Sequence, residues 1–195
     1  MNRKALAFAV LVSATGAQFA NAADGTINFN GQLTATTCTV AVDGAANSTA
    51  AVVTLPTVST NALQTSGQTT GQTGFNITLA NCSGTAQTAA AFFEAGPGVD
   101  QASGQLLNSA AAGVSASNVR LQLVDLGNNA IIRAGNTEQR TTAFRNRINY
   151  ATAGVGTAPG SNGSANLPYA VRYIASGPTT AGTVVSTVTY AIDYQ

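Results

Sequence analysis

Val184-Val185-Ser186-Thr187-Val188-Thr189-Tyr190-Ala191-Ile192-Asp193-Tyr194 alternates between a face of Val184, Ser186, Val188, Tyr190, Ile192 and Tyr194 and a face of Thr187, Thr189, Ala191 and Asp193. A period of two belongs to a strand with one buried side, because successive side chains leave a strand on opposite faces. The strand stops one residue before Gln195, so no later segment is there to pair with it, and an open sheet edge is expected. Such an edge presents a row of N–H and C=O groups that another chain can complete. The same alternation recurs near the other end, with Ile27, Phe29, Gly31 and Leu33 on one side and Asn28, Asn30 and Gln32 on the other. One strand that can receive and one that can be lent point to assembly rather than catalysis.

Strand signals fill the intervening sequence. Residues 36–42 are rich in β-branched side chains and put Cys38, Val40 and Val42 on one face. A turn is expected at 43–47 and a strand at 51–55, stopped by Pro56, with a polar loop over 60–74. Phe75, Ile77 and Leu79 alternate with Asn76, Thr78 and Ala80 on the way to Cys82. Further strands are predicted at 89–94, at 119–123, at Ile131-Ile132 and at 169–174, with a Gly/Ser/Asn-rich loop over 155–166. Many short strands separated by turn residues, with no amphipathic helix, describe an all-β sandwich.

The first 22 residues read as an export signal. Arg3 and Lys4 give a basic start, residues 5–12 an apolar run, and Ala20-Asn21-Ala22 a small-x-small cleavage site. The apolar run is far short of the roughly 20 residues that span a bilayer. In an exported chain the two cysteines, Cys38 and Cys82, are expected to form one disulfide. It would close a loop of about 45 residues and stabilise by roughly 3–4 kcal/mol.

Catalytic and cofactor chemistry find little support. The chain has no His, which removes the commonest general base and metal ligand and leaves two thiols unable to complete a tetrahedral site. Neither G-x-S-x-G nor G-x-x-x-x-G-K occurs, and Gly154-Val155-Gly156 lacks the third glycine of a dinucleotide fingerprint. No cofactor, metal or enzymatic activity is expected. Arg133, Arg140, Arg145 and Arg147 form the one concentration of charge in a chain that is 8% charged. They are spread too thinly for a nucleic-acid face and read as a solvated or subunit-contacting surface.

With these residues in place, the chain resembles subunits of chaperone–usher fimbriae, close to the type 1 pilin kind. Residues 23–33 followed by Cys38-Thr39-Val40 resemble that family's donor strand and first-strand motif, and residues 74–82 its second-cysteine strand. Residues 117–125 resemble a central strand, while residues 169–174 and the ending Tyr190-Ala191-Ile192-Asp193-Tyr194-Gln195 match the closing pattern with its penultimate Tyr. The chain departs in its Gly/Asn/Ala-rich stretches near 100–117 and 151–166.

The resemblance implies an immunoglobulin-like sandwich lacking its final strand and completed by a donated one. It implies a signal at 1–22, a donor-strand extension at 23–34 and a pilin domain at 35–195. Ile27, Phe29, Gly31 and Leu33 would be donated; Val188, Tyr190, Ile192 and Tyr194 would line the groove a chaperone reads. The implied partners are a periplasmic chaperone, an outer-membrane usher and neighbouring copies of itself or other pilins, not nucleic acid. The implied destination, reached through the periplasm, is a Gram-negative surface fimbrium that supports cell adhesion. Within that frame Gly31 favours donation, since glycine weakens an ordinary strand and marks close backbone approach. Two other readings compete: a tip adhesin, for which the length leaves no receptor domain, and a secreted monomeric β-sandwich that binds or hydrolyses carbohydrate.

Overall fold

The computed structural model describes residues 35–43, 45–46, 51–152 and 159–195, together with Gly31 and Leu33; the fold below is that of the unit Leu33–Gln195. Its strands are β1 (Thr37–Val42), β2 (Ala45–Ala46), β3 (Thr69–Gly84), β4 (Thr88–Phe93), β5 (Leu106–Leu107), β6 (Val119–Asp125), β7 (Ile131–Ile132), β8 (Asn146–Arg147), β9 (Asn149–Thr152), β10 (Gly160–Ala175) and β11 (Tyr190–Tyr194). The larger sheet runs β2-β1-β3-β10-β6-β5, with β7 also on β6 and β9 on β10; the smaller runs β11-β4-β8. Each of these strand pairs is antiparallel.

The alternation dictates the core. Phe75, Ile77 and Leu79 of β3, Leu121 and Leu123 of β6, and Leu167 and Tyr169 of β10 meet Ala89, Ala91 and Phe93 of β4 in one buried cluster. Small alanines on β4 let the two sheets approach, and aromatic rings fill the remaining depth. Tyr169 ties the layers together: its ring meets Phe93 edge-on at 5.2 Å, and its hydroxyl accepts the Ala91 N–H at 2.9 Å. Burial pushes its pKa up to about 12, so the phenol stays neutral at physiological pH.

Cys38 and Cys82 are bonded, with Cα atoms 4.1 Å apart. The pairing of β1 with β3 slips between Thr37↔Ser83 and Thr39↔Ala80, so Asn81 and Cys82 of β3 stand against the single Cys38 of β1 there. Asn81 supplies the slip by taking φ 52°, a left-handed conformation that asparagine tolerates better than most residues.

Four expectations change. The stretch read as loop over 60–74 becomes strand from Thr69, and the one read as loop over 155–166 becomes strand from Gly160. Both were obscured by glycines that do structural work. Gly71, at φ 66°, is the extra residue where β3 bulges against Val171 and Tyr173. At Gly163 an added Cβ would lie 2.7 Å from the Tyr150 ring and 2.9 Å from the Cys82 Cβ, so glycine lets that ring lie flat over β10. Conversely, residues 51–55 form no ladder, and within 184–194 only Tyr190–Tyr194 is paired as strand. Both segments nonetheless keep their alternating burial.

Candidate strand-acceptor site

β11 is an edge. It pairs with β4 through Tyr190↔Phe93, Ile192↔Ala91 and Tyr194↔Ala89, and among the described residues no strand lies on its other side. Glu94 N–H bonds to Thr189 C=O at 2.9 Å, while Gln195 and Thr88 exchange both of their bonds. This fixes the alternation: Thr189, Ala191, Asp193 and Gln195 turn their main-chain groups toward β4. Tyr190, Ile192 and Tyr194 therefore turn theirs toward the free edge. Among the described residues, those of β11 whose backbone is unpaired are the same ones whose side chains point inward.

Those side chains are incompletely covered. Val184, Val188, Tyr190, Ile192 and Tyr194 pack against the core cluster yet stay half-buried, whereas Ala89, Ala91 and Phe93 on neighbouring β4 are fully enclosed. Partial burial raises the phenol pKa of both Tyr190 and Tyr194. Val53 and Leu55 are likewise half-buried against the same cluster. Segments 57–63 and 179–184 face each other across a cavity of about 600 Å³, whose lining includes Val58, Leu63, Val119, Tyr173 and Val184. A row of half-buried apolar side chains whose own main-chain groups face an open edge can take one extended peptide, main chain by pairing and alternate side chains by insertion.

The opposite edge of the small sheet is closed. β8 pairs only with Thr88 and Ala89, and beyond it Tyr169 caps the Ala91 N–H. Gln139 then takes over Phe93: its Oε1 accepts the Phe93 N–H at 2.9 Å and its Nε2 donates to the Phe93 carbonyl at 3.1 Å. A carboxamide has the same donor–acceptor pair as a peptide group, so Gln139 acts as one residue of strand. Nothing in its polar surroundings, Thr137-Glu138-Gln139-Arg140, marks it in the sequence.

The reading of the Arg group as surface needs correction at one member. Arg133, Arg140 and Arg147 are exposed, but the Arg145 side chain is 7% exposed and bonds Asp193 Oδ1 at 3.0 Å and the Asp193 carbonyl at 3.3 Å. Arg140 stacks over Phe92 at 4.4 Å and lies 3.7 Å from Asp193 Oδ2. Both cations thus clamp the outward face of the β4–β11 pair. Arg145→Ala leaves the Asp193 carboxylate partly buried with only the distant Arg140, and is expected to cost about 2–3 kcal/mol. Arg140→Ala, at an exposed pair, is expected to cost under about 1 kcal/mol. Chemical denaturation of the two variants measures the difference.

Of the donor-strand residues expected from sequence, Ile27 and Phe29 lie outside the described residues; Gly31 and Leu33 are exposed. Two antiparallel sheets around one core, a disulfide across neighbouring strands and an apolar open edge define a β-sandwich of the self-assembling class.

The chain belongs to the type-1 fimbrial protein family: the family model for type-1 fimbrial protein A (FimA) matches residues 55–195. It is 43% identical to the major fimbrial subunit SMF-1 of Stenotrophomonas maltophilia, over 90% of this chain and 95% of that protein. It is 32% identical to a type-1 fimbrial protein A chain of Escherichia coli along the full length of both. Among solved structures, a chain of a chaperone–usher pilus matches 89% of this chain and 96% of its own length at TM-score 0.51 with 16% identity. The P pilus rod subunit PapA matches 81% of this chain and 99% of its own at TM-score 0.50 with 14% identity. These likenesses establish the immunoglobulin-like sandwich. The chain is a structural component of a surface fimbrium, polymerises with other pilin copies, and is not an enzyme.

Proposed function

We propose that this subunit polymerises by donor-strand complementation and exchange, its own N-terminal segment completing the next subunit. Residues 1–22 are removed on export, residues 23–34 form the donated extension and residues 35–195 the pilin domain. A periplasmic chaperone first lends a strand to the groove beside Val188, Tyr190, Ile192 and Tyr194. At the outer-membrane usher the Ile27, Phe29, Gly31 and Leu33 face of a neighbour replaces it, and the resulting fibre supports cell adhesion. The observation that carries this reading is the coincidence, on 188–194, of free main-chain groups with half-buried inward side chains. The full exposure of Leu33 supports it further, since an apolar side chain left in water is available to bury elsewhere.

The test separates receiving from lending. A chain lacking residues 24–32 keeps its groove and loses its donor, so it is expected to co-purify with the chaperone at the normal level. It is expected to be absent from every fibre position that requires it to lend a strand. Fibres built of this chain alone would overturn the reading.

A further inference from the structure

We infer that residues 108–117 are a strap, pinned by Asn108, that extends the acceptor edge of β11 back to Thr183 and sets the backbone register there. The inference rests on the strand-acceptor reading above and assigns a positioning role to a stretch in which the chain departs from the pattern of the pilins it resembles.

β4 supports the acceptor strand only as far as Thr189, where Glu94 makes the last bond. Further back the strap replaces it. Val185 C=O accepts the Ser109 N–H at 2.7 Å, and Val185 N–H donates to Asn108 Oδ1 at 3.0 Å. Thr183 N–H donates to Val114 C=O at 2.6 Å, and Thr183 C=O accepts from Ala116 N–H and Asn108 Nδ2, both at 3.0 Å. Thr183 and Val185 are therefore held by the strap, and Thr189, Ala191, Asp193 and Gln195 by β4, with the same odd-numbered parity. The even-numbered residues, from Val184 to Tyr194, keep their main-chain groups toward the free edge.

Asn108 is the joint. Its Nδ2, with two hydrogens shared among three acceptors, also lies 2.9 Å from both Ser115 Oγ and Ala116 C=O, and its Oδ1 also accepts the Ala110 N–H at 3.1 Å. One carboxamide thus fixes both ends of the loop and both odd residues of the acceptor. The 179–184 wall of the cavity is tied to the same strap through Ser117 and Thr180. An incoming strand consequently meets six preset acceptor residues rather than three, which lowers the ordering cost of pairing.

Residue-resolved amide exchange of the full chain, with and without a synthetic peptide of residues 23–33, tests this. The peptide is expected to protect the amides of Val184, Ser186 and Val188 as well as those of Tyr190, Ile192 and Tyr194. In Asn108→Ala the first three are expected to exchange about tenfold faster in the complex while the last three are unchanged, because only local bonds are lost. A uniform acceleration at all six, or none, would assign Asn108 an ordinary structural role and overturn the inference. Asn108→Asp, which keeps the acceptor for the Val185 N–H but sets a carboxylate oxygen against the Ala116 and Thr183 carbonyls, is expected to give the same local pattern and stands in should the alanine variant fail to fold. Wild-type protection confined to Tyr190, Ile192 and Tyr194 would overturn the strap while leaving strand acceptance intact. Protection at none of the six would overturn strand acceptance, and the strap with it.

Discussion

Ile192→Asp is expected to abolish capture of the subunit by its chaperone while leaving most of its fold in place. Ile192 is half-buried at the middle of the open edge, opposite Ala91. In the open subunit an aspartate there still reaches water, so the cost is the lost apolar contact, about 1–2 kcal/mol. Once a strand closes over the groove the carboxylate would be enclosed without a partner, at a penalty of several kcal/mol. Arg145, on the outward face, is already engaged by Asp193. Affinity for an incoming strand is therefore expected to fall by about a hundredfold or more. A chaperone pull-down from periplasm should recover little of the variant, and recovery at the wild-type level would contradict the assignment of the groove.

Phe29→Asp should act from the other partner. The aromatic side chain is the largest on the proposed donor face, and its burial in a neighbour would be worth about 2–3 kcal/mol. A carboxylate in its place removes that gain and adds the desolvation of an unpaired charge. The variant is expected to fold and bind chaperone normally, because its own groove is untouched, yet to be rejected as a donor. Electron microscopy of cells expressing it as the sole copy should show no fibres of this chain. Normal fibres would mean that residues 26–33 are an ordinary first strand.

The last strand is more legible in the sequence than the scaffold around it. The row Val188, Tyr190, Ile192 and Tyr194 is apolar because it faces a core, so its inward side is legible from the alternation alone. Phe75, Ile77 and Leu79, or Leu121 and Leu123, were equally plain for the same reason. Period-two reading failed where the inward position is small. Gly160 and Gly163 lie under the Tyr150 ring and carry no apolar signal, although they sit in a 16-residue strand. It also failed where a side chain does the work of a strand. Gln139 and Asn108 satisfy backbone groups of β4 and of the acceptor segment across long sequence separations, 46 residues from Gln139 to Phe93 and 77 from Asn108 to Val185. Local composition cannot show that. Arg145 was misassigned for a related reason: a cation looks solvated until the fold sets a carboxylate against it.

Strand acceptance is tested most directly by thermal unfolding of the chain from residue 35 to 195 with and without a synthetic peptide of residues 23–33. Binding to the folded state alone raises stability by about 2.7 kcal/mol at a hundredfold excess over the dissociation constant. For a domain of this size that corresponds to roughly 5–10 °C. A concentration-dependent rise of that order, absent for the same peptide carrying Phe29→Asp, is the predicted result. An unfolding temperature that does not move with added peptide would contradict the account.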